Sequence, residues 1–201
     1  MPHVEHLSKD KKLAAIILVQ EKYELVKRNN VCLQLCYSIM SQQLSTKVAD
    51  VFHQRFLALY KGKEPTPKQI LKTPFETLRS IGLSNAKANY VLNVCRFFID
   101  EKITDEKLHA MSNEAVIKYL TQIKGVGQWT VEMILMFTLG REDVFALDDL
   151  GIQQAICKLY KVKPDDKKAM KEKMLKISSR WKPYRTYACR YLWGWKDNVP
   201  V

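Results

Sequence analysis

The chain has 201 residues, 47% of them apolar, enough for one cored domain or two small lobes sharing a core, which excludes a disordered polyelectrolyte. Lys and Arg number 33 against 21 Asp and Glu, and the resulting +12 argues for a polyanionic partner, nucleic acid first and an anionic membrane surface second. The longest apolar run, Leu13 to Val19, falls well short of the roughly 18 residues of a membrane span and soon meets Glu21, Lys22 and Glu24.

Met1 to His6 lacks the apolar region and cleavage site of a signal peptide, so the chain is expected to stay inside the cell. Five scattered cysteines, at 32, 36, 95, 157 and 189, contain no CxxC pair. They are read as reduced, mostly buried thiols rather than a zinc site.

Apolar residues recur at three and four spacing, glycine is rare, and no Asn-Gly or Asp-Gly turn joins alternating strands, so an all-α fold is predicted. A first helix is expected from about Asp10 to Arg28, a second over Val31 to Gln42 and a third over Ser45 to Tyr60. Thr66-Pro67 reads as a cap with proline at the first helical position. A short helix follows and ends before Pro74. Phe75 to Ser80 is another. Ser84 is expected to cap Asn85 to Asp100, and Thr104 a turn at Asp105–His109. Ser112-Asn113-Glu114 opens a helix through Leu120. Helices are further expected over Gln128 to Leu139, Asp149 to Tyr160, Asp165 to Ser178, and from Pro183 through Trp193.

Between two of these helices lies Leu120-Thr121-Gln122-Ile123-Lys124-Gly125-Val126-Gly127. Two glycines around one apolar residue let the backbone turn sharply and approach another surface. The next helix begins at Gly127 or Gln128. Its first N–H groups lack helical partners and carry partial positive charge, which suits a phosphate. Read locally, the same residues also describe an ordinary helix-ending turn.

Asp148 and Asp149 stand at a helix start, where the local reading is capping. Asp149 lies 22 positions after Gly127, so one helix and a loop separate a carboxylate from the phosphate-binding turn. Trp129, Met133 and Phe137 share one helix face at four-residue spacing. Core packing is the plain reading of that stripe.

Taken together these segments resemble the helix-hairpin-helix DNA glycosylase superfamily, and within it the 3-methyladenine DNA glycosylase II branch. The resemblance rests on LxxIxGVG followed by Gln128-Trp129-Thr130, and on Asp143-Val144-Phe145-Ala146-Leu147-Asp148-Asp149-Leu150-Gly151. Ile39-Met40-Ser41-Gln42-Gln43-Leu44-Ser45 is similar to the family's first motif. Trp181 to Ala188, ending Tyr191-Leu192-Trp193, is similar to its C-terminal helix. The likeness spans roughly Val31 to Trp195. Ser41 departs from it, since the family often has glycine there.

The resemblance implies a compact two-lobed helical fold, residues 1–201 forming one domain with the hairpin at about 113–139. The N- and C-terminal helices would share a lobe and the active site would lie in the cleft between lobes. It implies Asp149 as the catalytic carboxylate, with Asp148 capping or supporting. A base pocket would be built from Trp129, Trp193, Met133, Gln42 and Tyr37, with weaker support for Tyr187 and Trp181. Gln43 would fill the gap left by an extruded base. Lys124, Gly125, Val126, Gly127, Gln128 and Thr130 would meet the DNA backbone, with Lys47, Lys87 and Arg185 as further contacts. The main-chain carbonyls of Thr121, Ile123 and Val126 would hold a monovalent cation, Na+ or K+.

No cofactor is expected to be required, and neither zinc nor an iron–sulfur cluster is expected. Strand-cutting relatives carry a lysine nucleophile where this chain has Trp129, and Schiff-base chemistry needs an amine. The expectation is therefore a monofunctional glycosylase acting on alkylated purines in double-stranded DNA. It would be a monomer without a membrane partner, in bacterial cytoplasm or nucleoid, or in a eukaryotic nucleus. The alternatives are another lesion (uracil, hypoxanthine or ethenoadenine), a helix-hairpin-helix protein that only binds DNA, and a basic protein–protein scaffold.

Overall fold

The structure is a computed structural model that describes residues 1–163 and 165–198. The described residues form thirteen α-helices and one short 3₁₀ turn, and no strand occurs among them. The chain divides into two units, a continuous one over Lys27–Leu139 and a split one built from Met1–Val26 together with Gly140–Val201.

In the continuous unit, α3 (Val31–Ser41) is the core helix. Seven of its eleven residues are buried, from Val31 to Met40. At its start Asp105 accepts the N–H groups of Asn30 and Val31, while the Asn30 side chain caps Leu33. α4 (Thr46–Ala58) and α7 (Asn85–Asp100) pack on α3, and α5 (Pro67–Lys72) and α6 (Phe75–Ser80) pack on α7. α8 (Asp105–Ala110) and α9 (Asn113–Leu120) lead to α10 (Gln128–Phe137), which contacts both α9 and α3.

These helices begin where local chemistry directs. Ser84, Thr104 and Ser112 each accept an N–H three residues on, and Thr66 with Gln69 forms a reciprocal capping box.

In the split unit, α2 (Lys11–Ile17), α11 (Leu150–Tyr160) and α13 (Arg185–Asn198) form the packed centre. α1 (Pro2–Leu7) leans on α2, and α12 (Lys167–Ser178) leads into the 3₁₀ turn Ser179–Trp181. Asp10 caps α2 and also accepts from the Tyr160 hydroxyl at 2.9 Å and the Trp181 indole at 3.3 Å, beside Arg180 at 3.2 Å. One carboxylate thereby joins three segments distant in sequence.

The long helix expected from Asp10 to Arg28 is not formed. α2 stops at Ile17, and residues 21–28 carry no regular structure. Leu13, Ile16 and Ile17 find a core, but Leu18 is 84% and Val19 79% exposed, so the apolar stripe has nothing to pack on beyond the second turn. Gln20 then folds its carboxamide back onto the Ile16 and Tyr191 carbonyls, satisfying the helix end. α1, by contrast, was not expected from the sequence.

Candidate functional site

The turn after α9 is anchored by two buried side chains, Ile123 and Val126, and closed by the Val126 N–H donating to the Ile123 carbonyl at 3.0 Å. Its two glycines have different physical reasons. Gly125 has φ +102°, and a Cβ there would lie 2.2 Å from the Tyr90 ring. The fold itself therefore demands glycine. Gly127 is extended, at φ −92° and ψ 167°, and a Cβ there would meet nothing within 4 Å. Any residue fits at 127 as far as this chain is concerned, so its bareness leaves room for something outside the chain.

Gly127 is also the N-cap of α10 and supplies no side-chain cap. The first N–H groups of α10, those of Gln128, Trp129 and Thr130, thus open toward the exposed side of the turn, with exposed Lys124 on the same loop. Two side chains expected at the DNA backbone are used otherwise. Thr130 is buried, and its hydroxyl accepts from the Gln42 carboxamide at 3.5 Å. The Gln128 carboxamide donates to Glu132 at 2.9 Å. Only the main chain of these two residues suits a phosphate. Glu132, a buried carboxylate one turn into α10, escaped sequence reasoning, because a charged residue in an apolar stripe carries no local mark of its partner.

The carbonyl oxygens of the turn differ in their partners. Among the described residues no hydrogen bond ends on the carbonyl oxygens of Thr121 or Val126, while that of Ile123 accepts one. Oxygen atoms left with open lone pairs on one tight turn fit a hard monovalent ion.

The stripe on α10 is not core. Trp129 is 40% and Phe137 37% exposed, and Met133 is half-buried. Three large apolar groups at one-turn spacing present an open apolar strip, with Trp129 beside the helix start. Tyr37 lies half-buried on α3, 4.4 Å from the His53 ring, and burial with nearby Glu64 pushes its phenol up to about 12. Ser41, where a glycine was the family pattern, donates its hydroxyl back to the Tyr37 carbonyl at 2.8 Å and pairs with His53 at 2.9 Å. Gln42 ends α3, and Gln43 follows it, exposed, with φ +59°.

In the split unit, Asp149 is the N-cap of α11. One of its oxygens, Oδ1, accepts both the Ile152 N–H and the Trp193 indole N–H, each at 2.8 Å. Gly151 makes this possible, since a Cβ there would stand 3.1 Å from both Asp149 Oδ1 and the Trp193 ring. Trp193, expected in the base pocket, therefore orients the carboxylate. Asp148, expected to cap or support, is instead a partly exposed partner of Lys171. The loop before α11 is held from two sides. The Gln153 carboxamide donates to the Leu147 carbonyl at 2.9 Å, and Thr186 bonds the Arg141, Glu142 and Val144 main chain.

Four other residues lie differently from what the sequence predicts. Arg185 is not a free DNA contact, because it forms a two-pronged pair with Asp143 at 2.6 and 2.9 Å. Trp181 is 1% exposed against Phe145 and Tyr160, a core residue. Tyr187 is buried flat on His3, ring centroids 3.8 Å apart, with its hydroxyl on Glu142. Lys87 likewise turns away from solvent, onto main-chain carbonyls of the α3 end. Lys47 remains exposed.

Among the described residues one group of cysteines lies together. The sulfur atoms of Cys32, Cys36 and Cys95 are within 4.8 Å of one another, buried between α3 and α7. They fill core volume between two helices.

Comparison with known proteins places these features in context. The family model described as the HhH-GPD superfamily base excision DNA repair protein matches residues 36–180. The chain is 39% identical over 162 residues to the DNA-3-methyladenine glycosylase 1 of Schizosaccharomyces pombe, covering 80% of this chain and 70% of that protein. A Bacillus subtilis relative is 35% identical over 168 residues, and the chain spans only 57% of its length. Among solved structures, the S. pombe 3-methyladenine DNA glycosylase in complex with abasic DNA superimposes with a TM-score of 0.86 at 32% identity, covering 99% of this chain and 98% of that one. A DNA-3-methyladenine glycosidase from Bacillus halodurans does so at 0.85 and 34%, covering 98% and 90%.

Proposed function

The chain belongs to the HhH-GPD superfamily of base excision DNA repair proteins, and from that premise we propose that it is a monofunctional DNA glycosylase releasing alkylated purines of the 3-methyladenine and 7-methylguanine type from duplex DNA. The observation that carries the reading is Asp149, an aspartate fixed by two hydrogen bonds to a helix start and to an indole. The names of its relatives, DNA-3-methyladenine glycosylases, support the substrate class.

A base within the stack is out of reach, so it must first be extruded. The bare Gly127 and the open N–H groups of α10, with Lys124, suit one phosphate of the backbone. The carbonyls of Thr121, Ile123 and Val126 would hold a monovalent cation, which supplies positive charge for that phosphate. Gln43 projects from its turn to fill the vacated space. In the continuous unit the apolar strip of Trp129 and Met133, with Gln42 and Tyr37, is assigned to the extruded base, and in the split unit Trp193 is assigned to orient Asp149. An electron-rich indole attracts a purine that alkylation has made cationic.

The bond from the sugar C1′ to the base nitrogen then breaks, and its electron pair leaves with the base. An N3- or N7-alkylated purine is cationic before this step and departs neutral, so no acid is needed to protonate it. Positive charge appears on the sugar, and the Asp149 carboxylate stabilises it. Water adds at C1′, and its proton passes through Asp149 to solvent. Trp129 stands where strand-cutting relatives have lysine, so no covalent amine adduct forms.

The test is Asp149→Asn assayed on duplexes carrying 3-methyladenine, 7-methylguanine, ethenoadenine, uracil or hypoxanthine. Base release should fall by about 10³-fold or more while duplex affinity holds. The wild type should leave nicks only after alkali. Nicks without alkali would end the monofunctional assignment, and wild-type protein that frees no base from any duplex would end the enzymatic one.

A further inference from the structure

Lys87 stands third in α7, whose start is fixed by the Ser84 cap, and its neighbours Ala88 and Val91 are buried against the core. Its ammonium donates to the Met40 carbonyl at 2.9 Å and to the Gln42 carbonyl at 2.7 Å. These oxygens sit at the C-terminal end of α3, where helical partners run out and partial negative charge collects. The contact draws one cation of a strongly basic chain partly out of solvent, and that burial lowers the amine below its ordinary range.

The turn it grips is unusual. Gln42 is the C-cap of α3, and the residue after a C-cap commonly adopts the left-handed backbone, a place that favours glycine. Here that residue is Gln43, with φ +59° and an exposed side chain. Glycine would adopt this backbone freely but would present no side chain. The turn closes through the Leu44 N–H on the Ser41 carbonyl at 3.1 Å, and the Gln42 carboxamide reaches Thr130 at the start of α10. A backbone held against its preference needs surroundings that over-determine it, and Lys87 supplies two charge-assisted bonds at this place.

We propose that Lys87 is a positioning residue for base extrusion: by holding the Met40 and Gln42 carbonyls it fixes the left-handed turn that presents Gln43 to the duplex. This rests on the assignment of Gln43 as the gap-filling side chain under the proposed function. Lys87 touches neither base nor sugar in this role. It acts through the turn, so its effect exists only while residue 43 has a side chain to present.

The experiment compares the wild type with Lys87→Met, Lys87→Arg, Gln43→Gly and the Lys87→Met/Gln43→Gly pair. Extrusion is read by 2-aminopurine fluorescence in a duplex, which responds whether or not a base is released. Excision is read by single-turnover release of 7-methylguanine, and binding by affinity for undamaged duplex. Lys87→Met should lower extrusion and excision by about tenfold or more, with undamaged-duplex affinity kept. Lys87→Arg, which retains charge and donors, should recover most of the loss. In the Gln43→Gly background the methionine substitution should have no further effect. An equal loss in both backgrounds would reduce Lys87 to a general helix cap and overturn the proposal, as would wild-type extrusion by Lys87→Met. Should Lys87→Met fail to fold, Lys87→Arg and Lys87→Gln carry the same comparison. If the wild type extrudes 2-aminopurine but releases no base, the glycosylase reading fails while the Lys87–Gln43 coupling is still measured.

Discussion

Asp149 combines two tasks in one carboxylate. As the N-cap of α11 it satisfies the Ile152 N–H, and through the same oxygen it takes the Trp193 indole. Asparagine caps as well as aspartate, whereas alanine does not. Asp149→Asn should therefore melt within about 0.5 kcal/mol of wild type, while Asp149→Ala should lose about 1–2 kcal/mol through the missing cap and an unpaired indole donor. Thermal unfolding of the two variants separates the roles. A pair that melts alike would mean the cap contributes nothing. Sequence exposed half of this. A cap at a helix start is a local inference, and the family motif pointed to Asp149. That both roles fall on one residue, leaving Asp148 to Lys171, depends on where Trp193 arrives from 44 positions away. The same limit hid Arg185, Trp181 and Tyr187. Charge and aromaticity are visible in a sequence, but burial is decided by partners such as Asp143, Asp10 and His3.

At the scale of elements, the turn between α9 and α10 makes the sharpest forecast. Gly125→Ala must place a methyl group against the Tyr90 ring and hold a left-handed backbone, at a cost of about 2 kcal/mol or more. Its melting temperature should drop by several degrees. Gly127→Ala meets open space in an extended backbone and should keep stability within about 1 kcal/mol. It should nonetheless weaken duplex binding by about tenfold, ~1.4 kcal/mol, because the methyl occupies the room proposed for a phosphate. Equal effects of the two substitutions on melting and on binding would contradict this division. Helix starts were legible because Ser84, Thr104, Ser112 and Thr66 act within three residues of themselves. The end of α2 was not, since it is set by what Leu18 and Val19 fail to touch and by a carboxamide reaching Tyr191.

Across the whole molecule, burial sorts the cysteines. Cys32, Cys36, Cys95 and Cys189 are buried, and Cys157 alone among the five is partly open. A disulfide-exchange reagent should meet one faster thiol and four that wait for the core to open. Burial also raises the Cys157 thiol above its ordinary value. Less thiolate is present near neutrality, so its rate should keep climbing as pH rises past the usual thiol range. Two or more fast thiols in the native protein would contradict this packing. The division of the chain has a temporal side as well. Residues 27–139 are consecutive, so every partner within that unit has been synthesised before residue 140 is added. α2 has no such luck: the face it buries belongs to α13, far later in the chain at Arg185–Asn198. α2 thus remains without that packing partner until α13 has been made, and Leu13, Ile16 and Ile17 are the side chains left waiting.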